Sequence, residues 1–354
     1  MKTFRIIGMA LVAILLCANF TSCSDDDGEV PPGGGSNIPA NTIRYQTTSG
    51  SRLHLDDEDV FGGAKMIKHT YSADGYWTME FDSNVTAIEE DAFYEQYTLT
   101  SVTLPNCVAS IGDCAFGQCS NLSNVTLGNG VKTIGLWAFA GCSSLASITI
   151  PNSVTSIMDG AFDGCGLTSV TIGNGVEYFG KDAFNNCNEL AKVEINSKSI
   201  DEYLFSYSPC LKEVVIGNNV ETIEECAFYH CDALTEITLP NSVTSIGSGA
   251  FHGCAKLKNV VIGRGVKTIG SYAFAYCALT GITIPNSVTS IGSDAFANCE
   301  SLSNIYVQWS TPIEYDYFFD WYTKEYATLY VPKGSLAAYK SADGWNGFVN
   351  IQEF

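Results

Sequence analysis

Positive charge is scarce in this chain. Its 354 residues include 18 Lys and Arg against 38 Asp and Glu, which gives a formal net charge of −20 at pH 7. Nucleic-acid-binding proteins carry basic patches that displace counterions from phosphates, so this charge balance excludes nucleic acid as a partner. Histidine is also scarce, with four residues, and none stands in the H-E-x-x-H spacing of a zinc enzyme. Acidity otherwise indicates solubility and repulsion from other anionic surfaces.

Motifs that position catalytic groups are missing as well. The chain contains neither the G-x-S-x-G nucleophile elbow nor the G-x-x-x-x-G-K-[ST] phosphate loop. The acidic run 56–59 is typical of a solvated loop more than of a calcium site. We therefore expect no enzyme activity, no catalytic residues, no bound metal and no cofactor.

The chain does contain a repeat of about 23 residues, L-x-x-V-x-[IL]-[PG]-N-x-V-x-x-I-G-x-x-A-F-x-x-C, with clear copies at 99–119 and 234–254. Its V-x-[IL] step occurs twelve times, from Met79/Phe81 to Leu329/Val331. Apolar residues that alternate over so few positions indicate one short strand per repeat. Strands that all run in one direction form a parallel sheet with a spacing of ~4.8 Å. The sequence therefore predicts a repeat solenoid with a concave parallel sheet of about twelve short strands.

The segments between the predicted strands alternate in their chemistry. Pro-Asn pairs, as at Pro151, alternate with Gly-Asn pairs, as at Gly173. Proline fixes φ and glycine accepts positive φ, so both favour a turn and disfavour a helix interior. Val, Ile and Ala-Phe follow each turn, so every repeat buries about six apolar side chains. Because no single repeat offsets its own ordering entropy, we expect collective stability and a continuous phenylalanine stack.

Cysteine is frequent, with 14 residues, and most of them follow Ala-Phe. Equivalent positions of a solenoid stack in register, and free cysteine is a small, readily buried hydrophobe. We therefore expect a buried ladder of thiols in place of a disulfide or metal framework. A disulfide between Cys107 and Cys114 stays open as an alternative. The predicted ladder residues are Cys119, Cys142, Cys165, Cys187, Cys210, Cys231, Cys254, Cys277 and Cys299.

Both ends of the chain differ from the repeat. A basic start precedes an apolar stretch that is short for the ~20 residues of a membrane-spanning helix, which indicates a signal peptide over 1–22. The Asp-, Pro- and Gly-rich segment 23–38 is predicted to be a flexible tether. Residues 39–76 are predicted to form a small N-terminal β cap with a hairpin near 48–50. Regular repeats are expected over 77–307, and a terminal repeat with a C-terminal cap over 308–354, including a short helix at 334–342.

The repeat resembles the BspA-like leucine-rich repeat family of bacterial surface proteins, through its A-F pairs, its C-x-x-L step and the phrase PNSVTSIG at 151–158. This resemblance implies a curved solenoid that adheres to host or bacterial proteins, including matrix components. Phe-Thr-Ser-Cys at 20–23 resembles a bacterial lipobox, which implies cleavage before Cys23 and its lipidation. The acidic residues 25–27 resemble an export signal, so we expect an outer-membrane protein that faces the cell exterior and is held only by its lipid anchor.

A resemblance of this kind supplies no fixed binding motif, so the candidate binding surface comes from the residues themselves. The irregular segment 192–207 interrupts the repeat, and aromatic residues collect in the terminal repeat near 306–330. We expect a monomer that binds a protein ligand, and the alternative is a glycan-binding lipoprotein of a polysaccharide-uptake system. The candidate residues are Lys192, Glu194, Lys212, Glu213, Glu236, Tyr203, Tyr207, Tyr306 and Trp309.

Overall fold

The computed structural model describes residues 36–55, 60–315 and 317–354. The predicted signal peptide, Cys23, the acidic run 56–59 and nearly all of the predicted tether lie outside these residues. The described chain forms a solenoid in which each repeat makes one turn, which confirms the predicted repeat fold. Within the described ranges, no helix is both long enough and apolar enough to cross a membrane.

The N-terminal cap is a small antiparallel sheet made of β1 (Thr42–Thr47), β2 (Met66–Tyr71) and β3 (Trp77–Phe81). Strand β1 lies between β3 and the first repeat strand and is antiparallel to both. The hairpin expected near 48–50 is therefore wrong, because the hairpin joins β2 to β3 near Gly75, where Ser72 and Tyr76 pair through their backbones. The strand with Met79 and Phe81 lies in the same sheet as the first repeat strand but is separated from it by β1.

The V-x-[IL] steps after the cap form the main face of the solenoid. Paired strands are parallel and in register, so that Val193 stands opposite both Val170 and Val214. Within the described residues, the face consists of four successive sheets. The sheet gains a final strand that the V-x-[IL] pattern does not contain, because β25 pairs with β24. The main-face strands are β5 (Leu99–Thr103), β7 (Asn124–Thr126), β9 (Ser147–Ile150), β11 (Ser169–Ile172), β13 (Lys192–Ile195), β15 (Glu213–Ile216), β17 (Glu236–Thr238), β19 (Asn259–Val261), β21 (Gly281–Ile284), β23 (Asn304–Val307), β24 (Thr328–Val331) and β25 (Asn350–Glu353).

A second face of two-residue strands stacks behind the main face. These strands end in the isoleucine that follows each turn, except that Phe179 takes its place in one of them. The first side chain of each strand is exposed or half-exposed, and the second is buried. Parallel pairing of such short strands gains little by itself, so the stack depends on the shared core. The second-face strands are β4 (Ala87–Ile88), β6 (Ser110–Ile111), β8 (Thr133–Ile134), β10 (Ser156–Ile157), β12 (Tyr178–Phe179), β14 (Ser199–Ile200), β16 (Thr222–Ile223), β18 (Ser245–Ile246), β20 (Thr268–Ile269) and β22 (Ser290–Ile291).

The predicted phenylalanine stack runs along the core. Consecutive rings lie 5.0–5.7 Å apart between centroids, and most are nearly parallel. The most tilted step joins Phe184 to Phe205, with an interplanar angle of 29°. The next are the terminal step from Phe296 to Phe319, at 22°, and the step from Phe205 to Phe228, at 18°. The stacked residues are Phe93, Phe116, Phe139, Phe162, Phe184, Phe205, Phe228, Phe251, Phe274, Phe296 and Phe319.

The thiol ladder exists but has eight members where nine were expected. Each thiol donates to the carbonyl of the phenylalanine in the preceding turn, as Cys254 does to Phe228 at 3.2 Å. Cys210 is the exception, because it stands five residues after its phenylalanine and Ser208 takes the ladder position. Cys114 is a free thiol, so it forms no disulfide with Cys107. The ladder residues are Cys119, Cys142, Cys165, Cys187, Cys231, Cys254, Cys277 and Cys299.

Thiol reactivity should distinguish the buried ladder cysteines from the half-buried Cys114 and Cys210. Burial raises the pKa of Cys254 and of Cys299 to about 12, so almost all of these two side chains remain in the unreactive thiol form at pH 8. We expect iodoacetamide to label half-buried Cys210 and Cys114 in the native protein, and the ladder cysteines only in urea. Peptide mapping by mass spectrometry after timed labelling measures this order. Native labelling of Cys254 as fast as that of Cys210 would contradict the buried ladder.

The C-terminal cap closes the core with aromatic residues. The predicted helix at 334–342 is confirmed as α2 (Leu336–Ser341), and a further short helix, α1 (Trp321–Tyr326), precedes β24. Asp320 caps α1 by accepting a hydrogen bond from the backbone N–H of Thr323 at 2.7 Å. Trp345 is fully buried, in a short 3₁₀ turn, Trp345–Gly347. An aromatic plug of this kind covers the open end of the phenylalanine stack.

Candidate functional site

The interruption of the repeat lies in one shortened turn. Six residues lie between the isoleucines Ile150 and Ile157 of a regular turn, whereas only four lie between Ile195 and Ile200. The valine that normally begins the return segment is absent, and Ser197 is fully buried there. We attribute the local change in packing to these two missing residues, because a shorter connection moves the second-face strand out of register.

The backbone ladder between turns is interrupted at the same place. In regular turns, N–H groups of one turn donate to carbonyls of the next, as Phe162 does to Ala183 at 2.8 Å and Phe205 to Ala227 at 2.9 Å. No such bond joins the turns of Phe184 and Phe205 in the described chain. The backbone groups left without a partner are the N–H groups of Asp182, Phe184 and Asn186 and the carbonyls of Glu202, Leu204 and Ser206.

The second face has the same interruption, while the main face does not. Strands β12 and β14 end two separate sheets, so they do not pair with each other. In place of a ladder bond, the N–H of Phe179 donates to the carboxylate of Asp201 at 3.3 Å. Strand β13 still pairs with β11 and β15, so the two halves stay joined on the main face.

A cleft of about 910 Å³ opens where the ladder is interrupted. One wall comes from the turn of Phe184 and the other from the turn of Phe205. Its charged lining consists of four carboxylates and one ammonium group, and Tyr203 and Tyr207 stand on its second wall. The side-chain oxygen of Ser206, which also lines the cleft, is buried and has no hydrogen-bond partner. The charged lining residues are Asp182, Asp201, Glu202, Glu224 and Lys181.

Exposed aromatic side chains continue from the cleft along the edge of the solenoid formed by the Ala-Phe turns. Tyr207 is 67 % exposed and stacks on His230 with ring centroids 5.7 Å apart. Tyr229 stacks on His252 at 4.9 Å, and His252 contacts Tyr276 at 5.1 Å. We call Tyr207, Tyr229, His230, His252 and Tyr276 the Tyr–His strip, which spans four consecutive turns. The pKa of His252 is lowered, mainly by burial and to a smaller extent by the neighbouring His230.

Backbone conformation limits which residues fit this edge. Each Ala-Phe turn holds two residues with positive φ, two positions before and two positions after the phenylalanine, so this conformation belongs to the repeat. Tyr203 and Tyr207 occupy both positions of their turn, with φ of 56° and 55°, whereas Gly249 and Gly253 occupy them two turns later. Positive φ is unfavourable for bulky side chains, so glycine relieves strain at these positions. A Cβ on Gly253 would lie 2.7 Å from the His230 ring, so glycine there leaves room for this histidine.

The predicted strand-face residues lie together on the main face, apart from the cleft. Lys192 forms ion pairs with Glu194 at 2.9 Å and with Glu213 at 3.1 Å. Lys212 and Glu236 line a shallow cavity of about 470 Å³ between β15 and β17, next to the exposed Val215. Exposed ion pairs of this type contribute about 0–1 kcal/mol, so they tune the surface more than they stabilise it.

The two candidate residues of the terminal repeat, Tyr306 and Trp309, lie in different environments. Tyr306 is half-buried on the main face and stacks on Tyr330, with ring centroids 4.4 Å apart. Trp309 is only 6 % exposed, and its indole N–H donates to the carbonyl of Val288 at 2.8 Å. The placement of Trp309 on a binding surface is therefore wrong, because this side chain fills the core beneath the cap and also contacts Trp345.

The sequence prediction thus found part of the edge and missed the rest. It named Tyr203 and Tyr207 because they interrupt the repeat. It missed Tyr229, His230, His252 and Tyr276, which occupy variable positions of regular copies. The signal that would have found them is aromatic residues one and two positions after the phenylalanine in consecutive copies. No group of three His, Cys, Asp or Glu residues arranged to hold a metal ion occurs in the part of the chain that the structure describes.

One short parallel strand per 21–24 residues, a stacked core and aromatic caps define a solenoid of the leucine-rich repeat class. The BspA-type leucine-rich repeat model matches the chain at residues 68–191, 116–235 and 198–324, with six copies. The chain therefore belongs to the BspA-type leucine-rich repeat family.

Solved structures of leucine-rich repeat proteins resemble the chain. A leucine-rich repeat protein from Bacteroides ovatus is 24 % identical, with a TM-score of 0.53 over 81 % of this chain and 67 % of that chain. A leucine-rich cell surface protein from Faecalibacterium prausnitzii is 24 % identical, with a TM-score of 0.33 over 86 % and 95 %. The pneumococcal vaccine antigen PcpA is 24 % identical, with a TM-score of 0.41 over 77 % and 72 %. No curated protein matches the chain significantly.

Proposed function

We propose that the chain is a non-enzymatic, lipid-anchored protein of the outer cell surface that binds a protein partner through the Tyr–His strip. The observation that carries this proposal is the strip itself: contiguous tyrosines and histidines at the exposed edge of a rigid scaffold. Tyrosine is enriched among residues that dominate binding energy, because its large ring loses little conformational entropy. A solenoid also offers a long surface on which such residues keep fixed spacings.

A binding experiment tests the partner class. The full chain, purified in nonionic detergent, is measured by biolayer interferometry against a panel of immobilised extracellular-matrix proteins. We expect a saturable partner, and an affinity loss of about 30-fold when Tyr207→Ser and Tyr276→Ser are combined, which is the size of a hot-spot effect of about 2 kcal/mol. The matched control is Trp137→Ser, because Trp137 is 50 % exposed and occupies the same turn edge outside the strip. Equal losses in both variants would contradict the proposal.

Glycan binding is the second candidate, and the strip also bears on it. Sugars stack on free aromatic faces, whereas Tyr207 and Tyr229 each have one face covered by a histidine ring. Because these ring faces are covered, the strip favours a protein partner over a glycan ligand. Saturable binding on a glycan array that is lost with Tyr207→Ser, in the absence of any protein ligand, would favour the glycan alternative.

Membrane attachment rests on Cys23 and is tested separately. We expect Cys23→Ser to move the protein from the outer-membrane fraction to the soluble fraction, because no acyl chain can then be attached. Replacing residues 25–27 by serine should keep the anchor but remove accessibility to protease added to intact cells. Membrane retention of the Cys23→Ser protein would contradict the lipid anchor, and unchanged protease accessibility would contradict the export role of the acidic residues.

A further inference from the structure

We propose that the cleft between the turns of Phe184 and Phe205 binds an arginine side chain from an exposed segment of the partner protein. This inference rests on the proposed function and assigns the partner a basic contact segment. The cleft is a candidate because the backbone ladder stops there and reappears on both sides. Every feature that favours arginine comes from the groups that this interruption leaves open.

The first argument is the set of unused hydrogen-bond acceptors. The carbonyls of Glu202, Leu204 and Ser206 have lost the donors that equivalent carbonyls have in neighbouring turns. The buried side-chain oxygen of Ser206 also has no partner. Buried polar groups such as this hydroxyl are normally paired, and leaving them unpaired is unfavourable. A ligand rich in N–H donors is therefore favoured on this wall, and guanidinium carries five of them in a planar fork.

Charge is the second argument. Four carboxylates line the cleft against the single ammonium group of Lys181, so its field attracts a cation. Carboxylate pairs with guanidinium through two parallel hydrogen bonds, a geometry that lysine cannot reproduce. Asp201 is already engaged, because it accepts hydrogen bonds from Ser199 and from the N–H of Phe179. Asp182 and Glu202 are exposed, stand on opposite walls, and have no hydrogen bond to their carboxylates among the described residues.

The aromatic wall gives a third argument. Tyr203 and Tyr207 are 53 % and 67 % exposed beside the carboxylates. A guanidinium is attracted to the face of a tyrosine ring, and arginine makes this contact more often than lysine does. Tyr207 belongs both to the cleft and to the Tyr–His strip. A segment that places its arginine in the cleft therefore continues directly onto the surface proposed to bind the partner.

The experiment uses the full chain in nonionic detergent and capped pentapeptides as probes. Titration calorimetry compares Gly-Gly-Arg-Gly-Gly with the same peptide carrying Lys or Gln at its centre. We expect the arginine peptide to bind at least 10-fold more tightly than the glutamine peptide and more tightly than the lysine peptide. Glu202→Gln and Asp182→Asn should each weaken it several-fold, whereas Glu300→Gln, an exposed carboxylate on a regular turn, should have no effect. Equal affinity for the arginine and glutamine peptides would overturn the proposal.

A variant with a repaired turn tests the shape of the cleft independently of the charges that line it. Replacing residues 196–199 by Pro-Asn-Ser-Val-Thr-Ser, the six residues at 151–156, restores the regular turn length and keeps every cleft carboxylate. We expect this variant to fold, to close the cleft and to lose arginine binding. Undiminished peptide binding by a folded repaired variant would show that surface charge alone attracts the peptide, which would overturn the proposal.

The partner protein distinguishes this inference from the proposed function. If the repaired variant still binds a matrix partner and Tyr207→Ser with Tyr276→Ser does not, the cleft proposal fails while the proposed function stands. If the arginine peptide binds in the cleft but no protein partner is found, the cleft proposal stands and the proposed function fails. Loss of both the peptide and the partner in the repaired variant supports the two together.

Discussion

Phe251→Ala is expected to lower the free energy of unfolding by about 3–5 kcal/mol, the usual cost of truncating a fully buried phenylalanine. The ring is fully buried and stacks on Phe228 at 5.2 Å and on Phe274 at 5.3 Å, so its removal leaves a cavity between two turns. Repeats of a solenoid contact only their neighbours, so a cavity in the middle weakens two interfaces at once. Equilibrium unfolding in urea, followed by circular dichroism, measures the change.

Two further variants make this result specific. Val261→Ala alters a 57 % exposed residue in the following turn and is expected to change stability by no more than about 0.5 kcal/mol. Phe184→Ala is expected to cost less than Phe251→Ala, because its ring lies at 29° to Phe205 and is poorly stacked on that side. A loss below about 1 kcal/mol for Phe251→Ala would contradict a continuous aromatic core.

The fold was largely predictable because its constraints recur in every copy. The V-x-[IL] step predicts the main-face strands, and Ala-Phe predicts the core stack, since in-register stacking turns one local pattern into a ladder. The exceptions are local. Strand β3 matches the V-x-[IL] spacing, but β1 takes the place beside β5, and nothing in a periodic pattern encodes an inserted antiparallel strand. Cys210 was misplaced because it keeps the regular spacing of 15 positions from Ile195, whereas the two-residue deletion brings Phe205 closer to the strand and leaves Cys210 five positions after it.

The candidate site was less predictable for a physical reason. The side chains of the Tyr–His strip sit at positions that the repeat leaves free, so no periodicity selects them. The cleft depends on bonds that fail to form, and a sequence encodes this only through a shortened turn. Trp309 illustrates the opposite error. A large aromatic residue in a terminal repeat can either cap the core or face solvent, and the composition of the repeat is the same in both cases. Burial decides between these roles, and burial is a property of the assembled turns.

Amide hydrogen exchange is expected to show the interrupted ladder directly. The N–H groups of Asp182 and Asn186 have no backbone acceptor, whereas those of Trp137 and Gly141, at the equivalent positions two turns earlier, donate to the next turn at 3.0 and 2.8 Å. Hydrogen-bonded amides exchange only after local opening, so we expect Asp182 and Asn186 to exchange on the order of 100-fold faster, which corresponds to an opening free energy of about 3 kcal/mol. Residue-resolved exchange by NMR or by fragmentation mass spectrometry measures the ratio.

The repaired turn supplies the internal control for this exchange experiment. With the regular turn restored, the carbonyls of Glu202 and Ser206 come into register with the N–H groups of Asp182 and Asn186, so protection at these two amides should rise to the level of Trp137. Protection at Trp137 itself should stay unchanged, because its acceptor, Asp159, lies before the interruption. Equal protection of Asp182 and Trp137 in the unaltered chain would mean that the ladder is continuous in solution, and the cleft would then have no unpaired backbone to offer a ligand.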